Sequence, residues 1–162
     1  MSTYVIREIN DGELDTCVEI IQKSFETVAV EFGLTRENCP TNGAFIEKER
    51  LASDKLRGNH MFGLSVNDTQ VGFVQLAKQD EAVFSMEKLA VLPRYRHTGL
   101  GKALMDFSRE YVKSNKGEKI SIGIINENEI LKQWYSVYGF VEVGTRVFSH
   151  LPFTVCFMEL HV

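Results

Sequence analysis

The sequence predicts a mixed α/β (α+β) fold, a sheet with helices packed on its faces. Three observations carry this. Several short runs alternate apolar and polar residues, as half-buried strands do. Other segments repeat apolar residues every three to four positions, as amphipathic helices do. "HMFGLSV" and "QVGFVQLAK" are separated only by "NDT", which reads as a hairpin turn.

Taken in order, "TYVIREI" alternates like a strand. Leu14, Val18, Ile21, Phe25 and Val28 predict a helix over 13–32. "GLTRENCPTNG" is a loop over 33–43, and a charged helix is expected over 43–57, ending before Gly58. The hairpin strands follow, and "AVFSMEKLAV" is the next strand. Residues 99–115 form the clearest helix, with Leu100, Ala103, Leu104, Phe107 and Tyr111 on one face. "KISIGII" is a strand. "NENEILKQWYSVYGF" is a short helix stopped by Gly139. "VEVGTRVFS" and "FTVCFMELHV" are the last two strands, divided by "HLP". The order is β α α β β β α β α β β.

A length of 162 residues suggests one domain, 1–162. Hydrophobic residues at 44% and charged residues at 25% are ordinary for a soluble globular chain. Eighteen Lys and Arg against 22 Asp and Glu leave a net charge of −4, which argues against general nucleic-acid binding. The start, "MSTYVIREIN", lacks the basic and apolar regions of a secretory signal. No apolar run is long enough to span a membrane. Cys17, Cys39 and Cys156 are far apart and odd in number, which fits reduced thiols and a cytoplasmic location. The four histidines make no HExxH and no Cys or His cluster has ligand spacing, so no metal is expected.

The chemistry gathers in "LAVLPRYRHTGLGKALMDF", residues 89–107. A strand runs through a glycine-bearing turn into a helix. A helix start offers unpaired N–H groups and the positive end of a dipole, and glycine lets the backbone approach a bulky anion. From Lys88 to Lys102 there are four Lys or Arg residues and no acid. A P-loop would need glycine at Arg96 and Ser or Thr at Ala103. A dinucleotide fingerprint would need glycine at Leu104. Both fail.

Arg96-His97-Thr98-Gly99-Leu100-Gly101, preceded by Leu89, Val91 and Pro93, closely resembles the Arg/Gln-x-x-Gly-x-Gly/Ala motif of the GNAT superfamily, the acetyl-coenzyme A-dependent N-acetyltransferases. Downstream, Asn128, Tyr135, Gly139 and Phe140 resemble that family's Asn-…-Tyr-x-x-x-Gly-Phe helix. The likeness is specific from about 84 to 140. It implies a GNAT-like, mainly antiparallel sheet of six to seven strands with helices on both faces. It also implies acetyl-CoA as cosubstrate and transfer of the acetyl group to a primary amine. The pyrophosphate would sit on amides of His97, Thr98, Gly99, Leu100, Gly101 and Lys102, beside Arg96. Pantetheine would pair with the backbone of Leu89, Ala90 and Val91 as an added strand does. Asn128 would contact it, cap the following helix, or do both.

Acyl transfer requires a neutral amine, donors for the developing oxyanion and a proton for the leaving thiolate. The resemblance points to Tyr135 as that acid; packing in the core is the alternative. Tyr138 misses the motif position. For the base, alternation places Ser85, Glu87, Leu89 and Val91 on one face of their strand and Phe84, Met86, Lys88 and Ala90 on the other. Glu87 then has apolar neighbours and partial burial, and is the candidate base; a plain edge carboxylate, or an ordered water as base, is the alternative. A bulge would upset this alternation. The oxyanion donor is expected to be a backbone N–H near Leu89 to Val91. His97 belongs to the phosphate turn, Cys156 to the core, and the loops around His150 and 33–43 to an acceptor pocket or to structural turns. The acceptor is expected to be a small molecule, with a peptide amine as alternative, and the chain to be a monomer or homodimer. The competing class is a non-catalytic module that only holds an acyl-CoA.

Overall fold

A computed structural model describes residues 3–162. Residues 1 and 2, which begin both the expected unit 1–162 and the stretch read for a secretory signal, lie outside the described residues. Seven strands and four helices follow the expected order. They are β1 (Tyr4–Glu8), α1 (Leu14–Glu31), α2 (Lys48–Leu56), β2 (His60–Val66), β3 (Thr69–Lys78), β4 (Val83–Val91), α3 (Leu100–Ser114), β5 (Lys119–Ile125), α4 (Glu129–Tyr138), β6 (Val141–Val147) and β7 (Thr154–His161). They build one sheet in the order β1-β2-β3-β4-β5-β7-β6, antiparallel except between β4 and β5.

Local chemistry explains where two expectations fail. The helix expected over 43–57 begins later. Asn42 caps a single 3-10 turn at Gly43–Phe45, and extended backbone at Ile46 and Glu47 separates that turn from α2. The β2–β3 hairpin uses two residues rather than "NDT". Val66 pairs with Thr69, and Asn67 and Asp68 both take left-handed backbone, as a tight primed turn requires. In α1 the buried stripe is Leu14, Cys17, Ile20, Ile21 and Ser24, with Val18, Phe25 and Val28 only partly covered.

The sheet separates two apolar layers. On one face α3 and α4 cover Leu64, Val74, Phe84, Met86, Ile120 and Ile122 with Leu100, Leu104, Met105 and Tyr135. On the other, Cys17, Ile20 and Ile21 of α1 and Leu51 of α2 cover Met61, Phe73 and Ala90. α3 lies tight on β3. A Cβ on Gly72 would meet Leu104 Cδ1 at 3.1 Å and the Ala90 carbonyl oxygen at 3.2 Å. Gly72→Ala is therefore expected to destabilise the fold by about 1–3 kcal/mol through overpacking, measured as a lower urea midpoint.

Candidate active site

β4 and β5 pair only through Val83–Lys119, Phe84–Ile120 and Ser85–Ser121. Beyond these residues neither strand has a partner on the side facing the other, although β4 continues to Val91 and β5 to Ile125. The sheet thus opens between the two strands that are parallel neighbours among the described residues, toward their carboxyl ends. Such an opening is where α/β sheets take ligands.

The glycine turn stands at the mouth of this opening. After β4, Pro93–Tyr95 form a 3-10 turn that leads to His97 (φ +61°) and Gly99 (φ +85°), and α3 begins at Leu100. Left-handed backbone at alternate residues turns successive N–H groups toward one side, the geometry of an anion nest. The first helical bond is Ala103 N–H to the Gly99 carbonyl. The six amides from His97 to Lys102 have no acceptor among the described residues, and no side chain caps α3. Gly99 has no atom within 4 Å of an added Cβ, so backbone conformation, not crowding, selects glycine there. At Gly101 an added Cβ would make ordinary van der Waals contact with the Trp134 ring of α4, at 3.4 Å.

The side chains of this turn are engaged elsewhere. The Arg96 guanidinium donates to the Ser24 carbonyl at 2.7 Å and the Thr27 hydroxyl at 3.0 Å, tying the turn to α1; burial lowers its pKa. Thr98 donates to the Tyr95 carbonyl at 2.5 Å, and Lys102 pairs with Asp106 at 2.9 Å. His97 is exposed. What the turn offers an anion is backbone.

β4 carries the bulge that upsets strict alternation. Phe73 pairs with Ala90 but Gln75 with Glu87, so Lys88 and Leu89 together oppose Val74, and Lys88 has φ +55°. The faces are re-phased. Leu89 and Val91 join Phe84 and Met86 on the α3 side, while Ser85, Glu87, Lys88 and Ala90 face α1 and α2. The expectation that Glu87 shares a face with Leu89 and Val91 is thereby corrected. Its neighbours are polar instead. Gln75 Nε2 donates to its carboxylate at 3.0 Å, the Ser85 hydroxyl lies at 3.3 Å and Lys88 Nζ at 3.5 Å, and its side chain is 39% exposed.

Tyr135 lies on the other face of the sheet, in the core under α3 and α4, 5% exposed and edge-on to Trp134 and Phe140. Burial pushes its pKa well above the usual phenol value. Burial is the sole cause of that shift, with no hydrogen bond or neighbouring charge behind it. Tyr138 is committed differently. Burial first, and then its 2.6 Å bond to Asp106, raise its pKa to about 12. Asn128 caps α4, its side-chain oxygen accepting from Leu131 N–H at 3.1 Å. Cys156 is fully buried. His150 stacks edge-on against Phe148 in the β6–β7 loop. Ser121, Val143–Arg146, Phe157 and Glu159 line a shallow groove of about 400 Å³ across β5, β7 and β6. Among the described residues no group of three His, Cys, Asp or Glu side chains could hold a metal ion, and no helix is long and apolar enough to cross a membrane.

The family profile described as Acetyltransferase (GNAT) family matches residues 19–140. The chain belongs to the GNAT acetyltransferase family. It is 27% identical over 161 residues to an uncharacterised N-acetyltransferase encoded in the pepI 3′ region of Lactobacillus delbrueckii subsp. lactis, covering 91% of this chain and 90% of that one. Its fold matches the PaiA N-acetyltransferase of Thermoplasma acidophilum, solved with coenzyme A, with TM-score 0.78 and 18% identity over 99% of each chain. It likewise matches the ribosomal-protein-S18-alanine N-acetyltransferase of Escherichia coli, with TM-score 0.78 and 18% identity over 99% of this chain and 94% of that one. The seven-stranded mixed sheet with helices on both faces is thus the GNAT fold.

Sequence reasoning missed one group of residues. Asp54, Gln75 and Lys88 meet beside Glu87, although they come from α2, β3 and β4. The one local signal was a lysine within an apolar strand.

Proposed function

We propose that this GNAT chain, acting as one unit over 1–162, transfers acetyl from acetyl-CoA to a small primary amine by direct attack on the thioester. The observation that carries this is the pairing of an opened β4–β5 seam with six unpaired amides at its mouth. The amides of His97 to Lys102 hold the diphosphate, and the free side of β4 at Leu89 to Val91 receives the pantetheine. The free amide end of Asn128, whose oxygen caps α4, contacts the same arm.

The two candidate catalytic groups flank this seam from opposite faces of the sheet. Glu87, on the α1–α2 side, takes a proton from the amine, directly or through a water. Tyr135, on the α3–α4 side, gives one to the departing thiolate. A phenol whose pKa is raised by burial stays protonated through neutral pH and well into the basic range, so the donor form is always present. A backbone N–H next to the bulge meets the negative charge that develops on the thioester oxygen. The 400 Å³ groove supports a small acceptor because it lies along β5, which flanks the seam.

The test is release of free thiol when the protein and acetyl-CoA are mixed with a panel of small amines and lysine-containing peptides. Turnover with small amines is expected. Tight binding of acetyl-CoA with no thiol release on any amine would show a binding module instead, and turnover on peptides alone would overturn the small acceptor. The turn itself is tested by Gly99→Ala. Left-handed backbone strains an L-residue by about 1–2 kcal/mol, and the expected result by calorimetry is several-fold weaker coenzyme A binding.

A further inference from the structure

The polar cluster beside Glu87 is more elaborate than joining α2 to the sheet requires. Asp54 is 3% exposed and Gln75 fully buried. Gln75 Nε2 donates to both carboxylates, Asp54 Oδ2 at 3.3 Å and Glu87 Oε2 at 3.0 Å. Its Oε1 lies 3.4 Å from Lys88 Nζ, so all its capacity is directed and the amide has one orientation. Lys88 Nζ stands between the two acids, 3.1 Å from Asp54 and 3.5 Å from Glu87. Arg57 closes the outer end on Asp54. Charge alternates along the chain Arg57, Asp54, Lys88, Glu87, from the surface of α2 to the open seam. Lys88 reaches its place only from left-handed backbone inside the bulge, a strained setting for a side chain. A buried ion pair is also a poor source of stability compared with apolar packing.

We infer that Asp54, Gln75 and Lys88 are positioning residues that aim the Glu87 carboxylate and fix how much positive charge it feels. The inference rests on the reading of Glu87 as base. Asp54 holds Lys88 back, so Glu87 faces a shared cation and not a private one. Burial alone would raise the Asp54 pKa, but Lys88, Gln75 and Arg57 outweigh it and keep that acid ionised. The charged or polar groups facing Glu87 are Asp54 and Arg57 from α2, Gln75 from β3, and Ser85 and Lys88 from β4; α1 faces this layer with Cys17, Ile20 and Ile21.

The experiment follows the Glu87 carboxylate by carbon-13 NMR during a pH titration of the full-length protein, with the signal assigned by its loss in Glu87→Gln. Asp54→Asn leaves Lys88 to Glu87 alone, so the midpoint is expected to fall by about half a unit or more. Lys88→Gln leaves Glu87 near an uncompensated acid, so the midpoint is expected to rise by a similar amount. Shifts of opposite sign are required, together with a fall in kcat in both variants that leaves coenzyme A affinity unchanged; nearby charges alone would move the midpoint, and only a cluster that aims the base also moves kcat. Midpoints that stay put, or move the same way in both variants, overturn the inference. If either buried variant does not fold, the exposed Arg57→Met decides. A rise of a few tenths is expected there, and an unmoved midpoint overturns the inference. The base reading fails separately, if Glu87→Gln transfers acetyl groups at the wild-type rate.

Discussion

Glu87→Gln is expected to lower kcat for acetyl transfer by about 10²- to 10⁴-fold, the span typical of a lost general base, with coenzyme A affinity unchanged. The substitution is nearly isosteric and removes the carboxylate charge and with it the ability to take a proton. Glu87 makes no contact in the apolar cores, and its side chain is 39% exposed, so the fold is expected to remain intact. Gln75 donates to Oε2 and Ser85 to Oε1, so the one oxygen of the new amide can keep the Gln75 bond while its NH2 group donates to the Ser85 hydroxyl oxygen. The check is a pH series of kcat with acetyl-CoA and the best acceptor of the panel, alongside a thermal melt. A rate within a few-fold of wild type would assign the proton to solvent and remove Glu87 from the reaction.

The second large effect is expected at Tyr135. Tyr135→Phe removes one hydroxyl and keeps the ring edge-on to Trp134 and Phe140, so stability is expected to stay within about 1 kcal/mol of wild type. kcat is expected to fall by about 10²-fold or more, as for loss of a general acid. The direction of the pKa shift adds a second check. Burial raises the phenol pKa, so the protonated donor persists beyond pH 10 and wild-type kcat has no basic limb from this group below that pH. Tyr138→Phe is the control. That hydroxyl is bonded to Asp106 on the outer surface of α3 and is expected to leave kcat unchanged.

Much of this fold was legible because its signals are local. Every strand and helix was foreseen in type and order, and α3 was marked by apolar spacing and by Gly99 and Gly101. The glycine turn before α3 was legible for the same reason, since left-handed backbone at the start of that helix is written as glycine. The misreadings arose where one residue changed the phase. An extra residue in β4 at Lys88–Leu89 swapped the faces of everything after it, and pairing with Val74 on another strand decides this. Extended backbone at Ile46 and Glu47 cut α2 short, although the charged sequence there is compatible with helix. The Asp54–Gln75–Lys88 cluster was invisible because its members are 13 to 34 residues apart and meet only through tertiary packing. The same holds for Arg96. Its place in the motif predicts a ligand contact, and nothing in the sequence signals that its side chain also fastens the turn to Ser24 and Thr27 of α1.

The reaction proposed for this protein depends on those amides. The most direct measurement is a proton–nitrogen NMR titration of the labelled protein with coenzyme A. The largest shifts are expected at the backbone amides of His97 to Lys102, with smaller ones along Leu89 to Val91. Absence of binding, or binding that leaves those six amides unmoved while others respond, would contradict the account.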